Sequence, residues 1–132
     1  MEFIFNIIQS FEGINITWVF FVLIFIGLDV ITGICKAASK HDIDSGKMRT
    51  GFWHKLGLIM ALVVAALADA ALNSGVDIGI SVPIFSAACG YICIMELVSI
   101  LENIVEINPE LAGSKLLKLF GKSISKDIDE DQ

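Results

Sequence analysis

The sequence predicts an all-α membrane protein of three transmembrane helices, and three observations lead there. The first is apolar content. Hydrophobic residues make up 55% of the 132 positions and charged residues 18%, with a mean hydropathy of +0.77. With the 11 glycines the apolar share is roughly 63%, against a usual value of about 45–50%. A single globule of this length has too little interior to hide so much apolar surface. The second is the length of three apolar runs, 14–35, 56–72 and 78–95. At about 1.5 Å per residue each spans a hydrocarbon core of about 30 Å. None carries the wide polar stripe that a helix of a soluble bundle would expose. The third is the placement of the basic residues. Lys36, Lys40, Lys47, Arg49 and Lys55 fall between the first two runs, and Lys115, Lys118, Lys122 and Lys126 fall after the third. Lys and Arg mark the cytoplasmic side, so the pattern predicts an outside N-terminus and an inside C-terminus.

The expected organisation is a three-span membrane domain over residues 1–105, with spans at about 14–35, 54–72 and 78–100, and a cytoplasmic tail over 106–132. Ahead of the first span, Phe3, Ile4, Ile7, Ile8 and Phe11 recur at helical spacing. This pattern fits either a short interfacial helix or an extension of the first span. The stretch has no Lys or Arg, so it is not a secretory signal peptide. In the polar loop that follows the span, Asp44 or Ser45 is placed to cap a short segment leading into the second span. Asn73-Ser74-Gly75 carries turn signals, which makes spans two and three a tight helical hairpin. Pro83 sits near the start of span three, where proline is tolerated. After Pro109, leucines interleave with lysines as in an amphipathic surface helix. Asp127, Asp129, Glu130 and Asp131 close the chain as an acidic end, expected to be disordered.

Few function classes survive the composition. A net charge of -6 argues against nucleic acid as a partner. Cys35, Cys89 and Cys93 are an odd number inside apolar runs and form no disulfide framework. Cys89 and Cys93 lack the spacing of a metal pair, and His41 and His54 read as interfacial polar residues. No nucleophile–base motif and no phosphate loop appears, so neither catalysis nor a cofactor is expected.

The informative residues are the polar ones in the spans. A carboxylate at the centre of a transmembrane helix costs roughly 2.5–3.5 kcal/mol on insertion scales. Asp29, Asp69 and Glu96 must therefore face a partner, a wet cavity or an interface. Asp29 shares a face with Thr32, Gly33 and Lys36, and either Lys36 or Lys55 is a candidate counter-ion. These five charged residues are the candidates for a pore or pairing role. Gly57, Ala61, Ala65 and Asp69 follow one another at four-residue spacing, and Ser86 and Gly90 form a comparable row. Small residues of this kind let helix backbones approach closely, which makes Gly33, Gly57, Ala61, Ala65, Ser86 and Gly90 helix-packing candidates. Cys89, Cys93, Glu96 and Asn103 make a second stripe, at 0, +4, +7 and +14.

Leu28-Asp29-Val30-Ile31-Thr32-Gly33-Ile34-Cys35-Lys36-Ala37 resembles the first-span signature of the toxin-secretion and phage-lysis holins. The resemblance continues through Ile43-Asp44-Ser45, Gly51 and Lys55-Leu56-Gly57, then Asp69. It ends at Glu96-Leu97-Val98-Ser99-Ile100-Leu101-Glu102-Asn103, covering about residues 28–105. The chain departs from that pattern at Met95, where relatives often carry Asn, and in its acid-terminated tail. The resemblance implies a multi-pass protein of the bacterial cytoplasmic membrane. It would assemble with itself among the lipids and open lesions that release an endolysin or an exported toxin. From the residues alone, a small ion channel or transporter stays open, as does an antiholin or membrane scaffold.

Overall fold

The computed structural model describes residues 1–11, 14–74 and 82–113, with the side chains of residues 7–10 left aside. The described residues form helices and no strands: α1 (Glu2–Ser10), α2 (Ile16–Ser39), α3 (Ser45–Asn73), α4 (Ile84–Ile107) and a 3-10 turn at Pro109–Gly113. Helices α2, α3 and α4 have 24, 29 and 24 residues and are long and apolar enough to cross a membrane. Residues 75–81, including Gly75 of the predicted turn, and the predicted amphipathic tail after Gly113 lie outside the described residues.

All three long helices run beyond the apolar runs. Hydropathy marks where hydrocarbon ends, whereas a helix continues as long as its backbone bonds do. Each end has a local cause. At the start of α2, Asn15 caps the helix, its Oδ1 accepting the Thr17 N–H at 2.9 Å. That cap separates α2 from α1, so the N-terminal segment does not extend the first span as one helix. At the end of α2, His41 adopts a left-handed φ of 54°. The His41 N–H donates to the Ala38 carbonyl and the Asp42 N–H to the Ala37 carbonyl, which is the bond pair of a Schellman terminus. The predicted short capped segment before span two is α3 itself, unbroken from Ser45.

The contacts of the chain divide it into two compact units. The first comprises Met1–Ile24 with Ser45–Cys93. There α1 packs against α3, and the buried side chains are Val22, Leu62, Ala65, Ala70, Phe85, Cys89 and Ile92. An apolar groove of about 240 Å³ is lined by Val19, Val22, Ile59, Leu62, Ala66 and Phe85 among others. All of its lining side chains are apolar, so it lacks the placed polar groups that fix a small molecule. The second unit comprises Phe25–Asp44 with Ile94–Gln132, and its buried side chains are Ile26, Asp29, Glu96, Ile100 and Asn103. Three of those five are polar, so the second unit contains the candidate site.

Candidate functional site

Successive helical turns of α4 place Glu96, Ile100 and Asn103 on one buried face (spacing +4, +3). On α2, Ile26 and Asp29 do the same. Asp29, Glu96 and Asn103 are only 8%, 2% and 5% exposed, too enclosed to reach water by snorkelling. Their contacts compensate the burial. Asn103 Nδ2 donates to Asp29 Oδ1 at 3.1 Å and to Thr32 Oγ1 at 3.2 Å. Thr32 Oγ1 in turn donates to the Asp29 carbonyl at 3.1 Å. No buried side-chain nitrogen or oxygen among the described residues is left without a partner.

Gly33 completes the arrangement. A Cβ added there would meet Asn103 Nδ2 at 3.7 Å, an ordinary contact distance. Alanine would fit, but a longer side chain would take the space of the amide. The sequence face Asp29, Thr32, Gly33 is thus the face on which α4 presents Asn103. Lys36, one turn further along, pairs with Glu106 at 3.4 Å, and Lys40 pairs with the other oxygen of the same carboxylate. Of the two expected counter-ions of Asp29, Lys36 is therefore engaged at Glu106, and Lys55 lies on α3, partly exposed. A family model describing the bacteriophage holins matches residues 6–122, nearly the whole chain. The chain belongs to the bacteriophage holin family. No curated protein and no solved structure matches it.

The remaining candidate acid, Asp69, has a different task. Its Oδ1 accepts the Ile84 N–H at 3.0 Å and its Oδ2 accepts the Phe85 N–H at 2.9 Å. These are the first amides of α4, which have no partner of their own within the helix. Pro83 precedes them and has no N–H to satisfy. Asp69 thus caps α4 from a neighbouring helix, with its negative charge at the positive end of the dipole.

The small-residue candidates separate by surroundings. Ala65 is buried within the chain, whereas Gly57 and Ala61 are exposed. A Cβ added at Gly57 or Gly90 would meet nothing within 4 Å among the described residues. Ser86 and Gly90 are partly exposed on α4. Among the described residues, no three His, Cys, Asp or Glu side chains gather as a metal site.

Sequence reading missed two participants. Asn103 appeared in the α4 stripe and in the family signature but was not singled out, because an amide carries no charge to flag it. Its spacing of seven from Glu96 was the available signal. Glu106 gave no signal, since an acid near the end of an apolar run reads as a solvated residue.

Proposed function

We propose that the chain is a holin that assembles with itself in the bacterial cytoplasmic membrane and opens lesions that release an endolysin or an exported toxin. The N-terminus lies outside and the C-terminus inside, following the nine basic residues. Three spans in one copy cannot enclose a hole that passes a protein, so several copies must surround it. The observation that carries the reading is one face of α3. Gly57, Met60, Ala61 and Val64 recur at +3, +4 and +7, and all are exposed. Nothing among the described residues requires Gly57 to lack a side chain. A second copy would use it, because small residues allow two backbones to pack closely in lipid. The polar side chains Asp29, Glu96 and Asn103 supply groups that can turn to water or to a neighbour when copies rearrange.

The test is lysis timing in cells that also make an endolysin, at matched membrane abundance, beside a crosslinking ladder. Ala61→Leu is expected to shorten the ladder and to delay or abolish lysis. An unchanged ladder with unchanged lysis would refute assembly through this face. Orientation is checked separately in a variant without native cysteines. External labelling should reach Ser74→Cys and not Ser45→Cys, and the opposite pattern would reverse the topology.

A further inference from the structure

Helix α3 is too long for the membrane it crosses. Its 29 residues at about 1.5 Å each give about 43 Å, against a hydrocarbon core of about 30 Å. The surplus belongs to its first part, where residues 47–54 are exposed on every side of the helix. This segment contains Lys47, Arg49 and His54, with Lys55 just after, and residues 45–55 include no acid. It also exposes three large apolar side chains, Met48, Phe52 and Trp53, the last two at 63% and 62%. The Phe52 and Trp53 rings meet edge to face with centroids 6.0 Å apart. Water is a poor solvent for such a pair, and hydrocarbon is a poor solvent for the cations beside it. The boundary between the two suits both, and Trp concentrates there.

The register makes the match more specific. Arg49 lies four residues before Trp53, on the same helix face and about 6 Å further along the axis. With the indole at the hydrocarbon boundary, the guanidinium stands at the depth of lipid phosphates, which it binds through paired N–H donors. We propose that the first three turns of α3 form a recognition surface for anionic phospholipid, with Trp53 and Phe52 seated at the boundary and Arg49 on the headgroup phosphate, while Lys47, about 200° round the helix, adds positive potential. The surface rests on α3 spanning the membrane and not on any step of lesion opening.

The chain's two tryptophans, Trp18 and Trp53, make the test direct. The full chain is reconstituted in equimolar phosphatidylcholine and phosphatidylglycerol vesicles, with one lipid or the other brominated. Trp18→Phe leaves Trp53 as the reporter, and Trp53→Phe leaves Trp18 as the control. Brominated phosphatidylglycerol is expected to quench Trp53 with about five-fold preference over phosphatidylcholine, as one basic side chain near an anionic surface provides. Arg49→Gln combined with Lys47→Gln should bring that ratio to about one, and raised salt should lower it. The proposal is overturned by any of three results: an equal ratio for Trp53 and Trp18, a ratio insensitive to the double substitution, or a Trp53 that neither lipid quenches. If Trp18 is quenched while Trp53 is not, the membrane span stands and lipid recognition fails, leaving this surface to a protein partner.

Discussion

Asp29 on α2 and Asp69 on α3 each place a carboxylate on an apolar helix, but Asp29 accepts from a side chain and Asp69 from the main chain. Asp29 accepts from Asn103 Nδ2, with Thr32 closing the group. Asp69 takes two bonds, from the amides of Ile84 and Phe85. The difference sets how far each position can change. A side-chain donor can be removed together with its acceptor, leaving an apolar contact of similar shape, which is often nearly neutral. A main-chain N–H cannot be removed by substitution. Without Asp69, the Phe85 N–H at the start of α4 loses its acceptor, and the Ile84 N–H keeps only the Val82 carbonyl at 2.9 Å. The same residue type is thus a replaceable link in one unit and a fixed requirement in the other.

The largest expected effect follows from that contrast. Asp69→Ala should destabilise the protein by about 1–3 kcal/mol, the range for an orphaned donor or a lost helix cap. Asp69→Asn keeps one acceptor oxygen and should lose less. Denaturation in detergent, followed by helix content, measures both. If alanine and asparagine cost the same, the one bond that asparagine keeps contributes nothing and the stabilisation needs the intact carboxylate. If neither costs anything, water replaces the cap and the contrast with Asp29 disappears.

A middle-sized effect belongs to Asp29 and Asn103. Hydrogen bonds between membrane helices average about 0.6 kcal/mol and reach about 1.7 kcal/mol. A double-mutant cycle with Asp29→Leu and Asn103→Leu, each of which removes the bond, should return a coupling in that range. Lysis timing gives an independent readout: Asp29→Asn retains the shape and one acceptor but removes the charge. Shifted timing at equal stability would assign the carboxylate a part in opening. Identical timing would leave it as a packing link only.

Legibility in the sequence follows the same division. The three long helices were readable because an unbroken apolar run of span length belongs in hydrocarbon, where only a helix satisfies its own backbone. Their ends were not, since Ser45–Lys55 and Leu101–Ile107 are helical without being continuously apolar. The α2 terminus shows why: its left-handed residue is His41 and not the glycine that usually announces such a stop. Asp29 was readable as a costly group, and its need for a partner was clear, but not that the partner is an amide. Asp69 was readable as a costly group at the end of a small-residue row, but not as a helix cap. Its role depends on a cap reached across 15 residues of chain, and cap rules see only immediate neighbours. Ala65 and Ala61 share that row, yet one is buried and the other exposed. A four-residue spacing drifts around the helix by about 40° per step, so a long row leaves one face for the next.

The smallest expected effect lies at Glu106, which extends the comparison to a carboxylate near the end of α4. It accepts from both Lys36 and Lys40, but its side chain is 43% exposed. Water and salt screen such a contact, and exposed ion pairs contribute about 0–1 kcal/mol. Glu106→Gln should therefore change stability by no more than that, and the change should shrink as ionic strength rises. Asp69→Ala, whose loss comes from unsatisfied amides and not from Coulomb attraction, should respond little to the same salt series. The discriminating measurement is the stability difference of each variant from wild type at low and high salt. A salt-sensitive Asp69 would place its cap within reach of ions. A salt-insensitive loss at Glu106 well above about 1 kcal/mol would make the lysine pair a structural anchor for α2 on α4, comparable to the Asn103 contact and not a screened surface bond.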